Sequence, residues 1–486
     1  MSTATATDWE LVVGLEVHVE LSTRTKMFCA CPTDFGGAPN TRVCPVCLGQ
    51  PGSLPVANRG AVESAIRLGL ALGSEIAPTS QFHRKNYFYP DMPKNYQISQ
   101  YDVPLCSGGV LEVPDGQGGS KRVGITRVHM EEDTGKSLHV GGSGRIHGAD
   151  HSLVDYNRAG IPLLEIVSEP DLRSAEEARA YLAELRAIVL ALGISDARLE
   201  EGSMRCDANV SVRPRGGEPG TRCEIKNLNS LRSLGRAIEH EAERQVALIT
   251  AGEAVQQQTR HWDEDAGRTQ LLRTKEATED YRYFPDPDLV PLEPDQTWID
   301  QLAADLPELP AATRTRLAEL GVPAEAARTI VAAGLTPVLD AALGEGADPV
   351  EAANWLTNEV AGWAGERGLE PAEVPLAGAD LAELIALVAE GTLSKKLARE
   401  VLEGTLAGEG SPRRVASDRG LEQISDTGAL EAVVDQVIAE QPDAAQKVRD
   451  GNDKAIGALV GAVMKATQGQ ANPQLVNELL RSRLSG

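Results

Sequence analysis

The pattern of apolar and polar positions changes character twice along the chain. Leu11–Leu21 (LVVGLEVHVEL) alternates apolar and polar side chains, the period of a strand with one buried face. Val123–Met130, Asn209–Arg213 and Arg222–Lys226 alternate in the same way. Arg59–Leu72 and Ser174–Leu192 carry helical spacing instead. The second opens on Ser174 with Glu177 three residues on, the signature of a capping box. Prolines in Tyr283–Leu292 (YFPDPDLVPL) break the pattern and mark a boundary. Beyond them Trp298–Glu390 is rich in Ala and Leu at helical spacing, as at Leu381, Leu384, Ile385 and Val388. A second break, Gly408–Pro412 (GEGSP), precedes a last helical stretch, Asp418–Leu484, with Ile456, Leu459, Val460 and Val463 on one face. These periods predict an α+β fold. A mixed domain with a largely antiparallel sheet covers 1–292, a helical domain 293–408 and a small helical tail 409–486.

Composition agrees with several domains, since 486 residues exceed one ordinary core. There is no run of about 18 apolar residues. The polar Met1–Asp8 lacks a basic segment followed by an apolar one, so a cytoplasmic protein is expected. The net charge of −24 speaks against contact with a polyanion. That charge is uneven, however. Pro291–Glu390 holds 4 Arg and no Lys against 18 acids, whereas Gly391–Gly486 holds 12 basic against 13 acidic residues. The C-terminal end is the favoured place for a nucleic acid.

Seven cysteines are an odd number, which in a reducing compartment favours a metal site or free thiols over a disulfide framework. Cys29-x-Cys31 and Cys44-x-x-Cys47 are two close pairs that can bring four thiolates to tetrahedral zinc, at about 2.3 Å per bond. Four sulfurs leave no position for water, so such a site is structural; the alternative is four reduced, uncoordinated thiols. Glu16 and His18 lie two apart on a strand and share a face, as site residues or as a solvated strand face. His129-Met-Glu131-Glu132-Asp133 offers carboxylates of the kind Mg²⁺ takes, or a solvated turn.

The stretch His83–Tyr96 interleaves Lys85 and Lys94 with rings such as Tyr87, which suits a nucleotide or a tied-down loop. Asp207 and Asn209 in Met204–Asn209, with Lys226 in Glu224–Asn229, read as the lining of a polar cavity or as hydrogen-bonded turns. The chain has no Gly-x4-Gly-Lys-Ser/Thr loop, no protein-kinase signature and no Gly-x-Ser-x-Gly elbow. Any ATP chemistry must use a different cradle, and glutamine hydrolysis is not expected on this chain.

Together these segments resemble one family. GLEVHVEL (14–21), RKNYFYPDMPKNYQISQ (84–100), GITRVHMEEDTGKS (124–137), DYNRAGIPLLEIVSEPD (155–171), EGSMRCDANVSVRP (201–214), EIKNLNS (224–230), DYRYFPDPDLVPL (280–292) and the stretch 451–480 look like the B subunit of the bacterial aspartyl/glutamyl-tRNA amidotransferases. The resemblance spans essentially the whole chain. It implies a cradle-like α/β domain, a helical domain and a tail that contacts tRNA. It also implies a three-subunit enzyme, with an amidase-type A subunit to free ammonia and a small C subunit to brace A against B. The B subunit would bind ATP, Mg²⁺ and the acceptor end of a misacylated Glu-tRNA or Asp-tRNA. It would phosphorylate the side-chain carboxylate, and ammonia would displace the phosphate.

By the same resemblance Glu16, His18 and one carboxylate of the Glu131–Glu132 pair match metal-binding positions, with Lys85 and Lys94 as phosphate or tunnel cations. Glu132, Asp207, Asn209 and Lys226 would line a polar ammonia path, and Tyr87 would face the nucleotide. Lys447, Arg449, Lys454 and Lys465, among Gly451, Gly457 and Gly461, would meet the tRNA body by shape. The cysteine quartet varies within the family, so zinc would not be needed for the chemistry. Two rival readings are an archaeal-type protein acting on Glu-tRNA alone and a tRNA-binding scaffold without catalysis.

Overall fold

The computed structural model describes residues 9–114, 119–141, 149–274, 280–421, 427–450, 452–467 and 470–484; Gly451 and Met1–Asp8 lie outside them. The chain divides into two compact units, Met1–Pro310 and Ala311–Gly486.

The first unit is built around the strand Trp9–Glu20. Its alternation is realised: Val13, Leu15, Val17 and Val19 are at most 1% exposed, while Glu16, His18 and Glu20 project from the other face. It pairs antiparallel with Pro162–Ser168 on one side and Met204–Pro214 on the other. Ser120–Glu132 follows Pro162–Ser168. Beyond Met204–Pro214 come Cys223–Leu228, Gln258–Asp263 and Arg268–Thr274. Only Cys223–Leu228 with Gln258–Asp263 is parallel among these pairs. The long helix Leu231–Thr250 joins the two, the crossover that a parallel pair requires. Helices Arg59–Ala71, Ala175–Ala191 and Leu231–Thr250 bury Ile66, Leu182, Leu185, Leu234 and Ile238 in the same core as the central strand.

Ser174 caps its helix by accepting the Glu177 N–H. The reciprocal half of the box is displaced by one residue, because the Glu177 carboxylate takes the N–H of Arg173 at 2.6 Å and also pairs with Lys121. A separate small sheet joins Phe284–Pro285, His83–Asn86 and Tyr96–Ser99. The core of the first unit continues past the prolines, since Leu302 of helix Gln296–Ala304 belongs to it and Arg59 lies over the Trp298 ring.

The second unit is helical and holds two apolar clusters. One runs from Leu317 to Ala416 and takes in Leu381, Leu384 and Ile385 of helix Gly378–Ala389, and Val415 of helix Pro412–Asp418. The other gathers Leu430, Ile456, Leu459, Val463, Val476 and Leu480. Val388 and Val460 stand at the margins of these clusters, only partly buried. No single helix among the described residues is long and apolar enough to cross a membrane.

Leu164 is fully buried in the strand beside Trp9–Glu20. Leu164→Ala is expected to cost about 2–5 kcal/mol, read as a lower urea midpoint at unchanged slope.

Candidate functional site

Three neighbouring strands place ionisable side chains on the face turned away from the helices. In the register His18 lies opposite Glu165, Glu165 opposite His129, and Leu163 opposite Glu131. His18 Nε2 is 3.2 Å from Glu165 Oε2 and 3.7 Å from Glu16 Oε1. His129 Nε2 is 3.5 Å from Glu131 Oε1 and 3.7 Å from Glu165 Oε2. On the other flank Asp207 lies opposite Glu16 and Asn209 opposite Gly14. Asp207 pairs with Lys226 at 2.5 Å, and Lys226 also reaches Glu224 at 2.9 Å. The ligating atoms of Glu16, His18 and Asp207 lie within 4.8 Å of one another, as do those of His18, Glu131 and Glu165. His18 is shared by both groups.

So many carboxylates in one place carry an electrostatic cost. Burial, and then the Glu165 carboxylate, push Glu16 up to about 7. Burial opposes charge on His18, but the hydrogen bond to Glu165 and the surrounding carboxylates hold its imidazole up at about 9. Glu131 is buried as well, yet Lys85 and His129 keep it well below the ordinary carboxylate range. The cluster binds positive charge wherever it can find it.

Parity along the strand separates the two candidates Glu131 and Glu132. Glu131 faces the histidines and is held by Ser99 Oγ at 2.6 Å, Gln97 Nε2 at 3.1 Å and Lys85 Nζ at 3.8 Å. Glu132 points to the opposite side, where it pairs with Lys94 and accepts the N–H of Ile98. Lys94 and Glu132 therefore line a different cavity of about 260 Å³, together with Arg84, Tyr96, Cys29 and Cys47. Tyr87 stands one residue beyond His83–Asn86, with its ring stacked on Tyr89 at 5.9 Å.

Glu165 stands outside the residues the sequence singles out. Its only local signal is a lone acid within the otherwise apolar PLLEIV, and that acid is 6% exposed. A second buried group adjoins the first. Burial and a hydrogen bond to Asp133 push Glu20 up to about 9, so it is protonated at neutral pH. Against the cost of burial, Arg205 and Arg158 hold Asp133 down at about 2.

Cys29, Cys31, Cys44 and Cys47 are free thiols whose sulfurs lie within 4.8 Å of one another. The Cys44 and Cys47 sulfurs are 3.9 Å apart. Four sulfurs at about 2.3 Å from zinc are separated by about 3.8 Å, so the quartet fits the ion. The hydrogen bond from Cys29, together with the Cys44 backbone and Lys26, pulls the Cys47 thiol down to about 5 against burial. In the second unit Lys447, Arg449, Lys454 and Lys465 are all exposed, and the surface beside Gly457 and Gly461 is open.

A family model described as the GatB/GatE catalytic domain matches residues 11–300, and one described as the GatB domain matches 338–484. The chain belongs to the GatB/GatE family. Every residue of the histidine–carboxylate cluster falls within its catalytic-domain match. Proteins named as the B subunit of aspartyl/glutamyl-tRNA(Asn/Gln) amidotransferase are similar over nearly the whole length. That of Thermobifida fusca is 57% identical, covering 98% of this chain and 94% of the relative. That of Frankia casuarinae is 57% identical over 98% and 96%, and that of Moorella thermoacetica 53% over 98% and 100%.

The hydrogen bond between His18 and Glu165 is expected to set the titration of the imidazole. In metal-free protein, Glu165→Gln should move the His18 titration, followed by NMR, downward from about 9. An unchanged midpoint would show that Glu16 and Asp207 suffice.

Proposed function

We propose that this chain is the B subunit of a tRNA-dependent amidotransferase that phosphorylates the side-chain carboxylate of Glu or Asp misacylated onto tRNA. ATP is the phosphoryl donor, and ammonia then converts the acyl phosphate to Gln-tRNA(Gln) or Asn-tRNA(Asn). The observation that carries the reading is the sheet face on which His18 sits between Glu16 and Glu165, with Glu131 and Lys85 beside it. The names of the relatives point the same way.

A carboxylate resists ammonia because oxide is a poor leaving group. A carboxylate oxygen attacks the γ-phosphorus of ATP and the bond to ADP breaks. Ammonia then attacks the acyl carbon, inorganic phosphate departs and the nitrogen loses its proton. Such a transfer asks for positioning and charge neutralisation more than for covalent chemistry by the protein.

Glu16, His18 and Glu131, joined by Glu165 and Asp207, suit a divalent cation such as Mg²⁺, because they are mostly oxygen donors and carboxylates outnumber the one imidazole among them. When bound, the ion neutralises phosphate oxygens. Lys85, held beside Glu131, presents a fixed cation to the transferring group. Asp207, Asn209 and Lys226 supply a polar surface on one flank for incoming ammonia, which apolar walls would not solvate. Lys94 and Glu132 do the same from the cavity behind the strand.

Ammonia comes from an amidase-type A subunit, with a small C subunit completing a cytoplasmic heterotrimer. The exposed Lys447, Arg449, Lys454 and Lys465 meet the tRNA. Zinc at the cysteine quartet is structural.

The deciding experiment is phosphate release from ATP by the assembled three-subunit enzyme, with Glu-tRNA(Gln) present and glutamine withheld. Wild type should release phosphate only with misacylated tRNA, and Glu16→Ala should lose about 100-fold or more. A variant that turns over normally would make Glu16 structural. A wild type that binds tRNA without ever hydrolysing ATP would establish the scaffold instead.

Cys44→Ser is expected to lower bound zinc from about one per chain toward none, measured by elemental analysis, and to lower the melting temperature. Phosphate release by the folded variant should remain within about threefold of wild type, as for a residue outside the chemistry.

A further inference from the structure

We propose that Tyr101, Tyr281 and Tyr283 form a wall that stacks the purine ring of an adenosine, with the adjoining phosphate toward Lys85. This rests on the phosphoryl-transfer reading above. Tyr101 and Tyr283 are stacked nearly parallel, their centroids 4.3 Å apart at 11°. Tyr281 meets Tyr283 edge-on at 6.0 Å, and His83 meets the Tyr101 ring at 6.2 Å. Lys85 Nζ lies 5.1 Å from the Tyr281 centroid and 3.8 Å from Glu131, which joins the rings directly to the acid centre.

These rings are not core. Tyr101 is 57% exposed, Tyr281 and Tyr283 are half-buried, and none of the three belongs to the apolar core of the first unit. The backbone that presents them is strained. Arg282, between Tyr281 and Tyr283, has φ +46°, a conformation that a non-glycine residue adopts at a cost. Asn86 holds it in place by donating its amide to the carbonyls of Tyr281 and Arg282, each at 3.0 Å. Pre-stacked rings at a partly open surface beside a cation match an extended π-surface carrying a negative charge. A nucleoside phosphate has both.

Two molecules of the reaction carry adenosine, ATP and the 3′ end of tRNA, and the test separates them. In the assembled enzyme, Kd for a non-hydrolysable ATP analogue is measured by calorimetry, and KM for Glu-tRNA(Gln) by phosphate release. Tyr283→Leu, Tyr101→Leu and Tyr283→Phe are compared with wild type. The leucine variants should weaken one ligand by about tenfold, as loss of a base–ring stack does, while the phenylalanine variant stays within about twofold. A rise in Kd for the analogue alone assigns the wall to ATP, and a rise in KM for tRNA alone assigns it to the terminal adenosine.

Normal affinity for both ligands in the two leucine variants overturns the proposal. If Tyr283→Leu does not fold, Tyr101→Leu decides, because its ring is more than half exposed. A wild-type enzyme that neither binds the analogue nor releases phosphate sinks the phosphoryl-transfer reading. Wild-type activity with unaffected variants sinks only the wall.

Discussion

Buried charge on the open face of a sheet is the constraint from which the rest of the first unit follows. Placing His18 3.2 Å from Glu165, with Glu16 and Glu131 nearby, removes several ionised groups from water. Such a cluster is tolerated only where each member finds partners. Glu165 has His18, His129 and Arg127, and Asp207 has Lys226. Glu131 depends on a second sheet altogether, since Lys85, Gln97 and Ser99 all come from His83–Asn86 and Tyr96–Ser99. That sheet is itself pinned by Arg84, which clamps Asp286 at 2.9 Å and Asp288 at 2.8 Å. The ion pairs of Arg84 thus support the acid centre without touching it.

Strand alternation was legible in the sequence wherever one face is buried and the other open. Leu11–Leu21 is such a case, and the helices Arg59–Ala71 and Ala175–Ala191 were equally plain. The fold class followed from those periods. The cysteine quartet was legible too, because close spacing along the chain enforces closeness in space. Glu165 was not. Its strand is buried on both faces and reads as a continuous apolar run, so no period announces which way the one acid points. Only pairing between segments more than a hundred residues apart puts it beside His18.

The choice between Glu131 and Glu132 shows the same limit at its smallest scale. Both lie in one strand and both are buried, so composition and burial do not distinguish them. Register does, because adjacent residues of a strand face opposite ways. One glutamate joins two histidines and a lysine, and the other is neutralised by Lys94 across a separate cavity. The prolines at 283–292 mislead in a related manner. They end regular structure, but helix Gln296–Ala304 still packs on the first core, since packing follows apolar faces rather than chain breaks.

The cysteine loop has a mechanical connection to the site that its chemistry does not suggest. Between the two cysteine pairs, the Asn40 N–H bonds Asp155 Oδ1 at 2.9 Å, and the Ala38 carbonyl accepts from Asn157 Nδ2 at 2.7 Å. The next residue, Arg158, lies 3.5 Å from Asp133 and works with Arg205 to keep that carboxylate charged beside protonated Glu20. Order in this loop therefore reaches Asp133 through the hydrogen bonds that tie it to residues 154–157 and through one guanidinium. Such a device can be replaced by any packing that holds Asn40 in place. Glu16 and Glu131 differ from it, because the ligand atoms of each lie within 4.8 Å of those of His18.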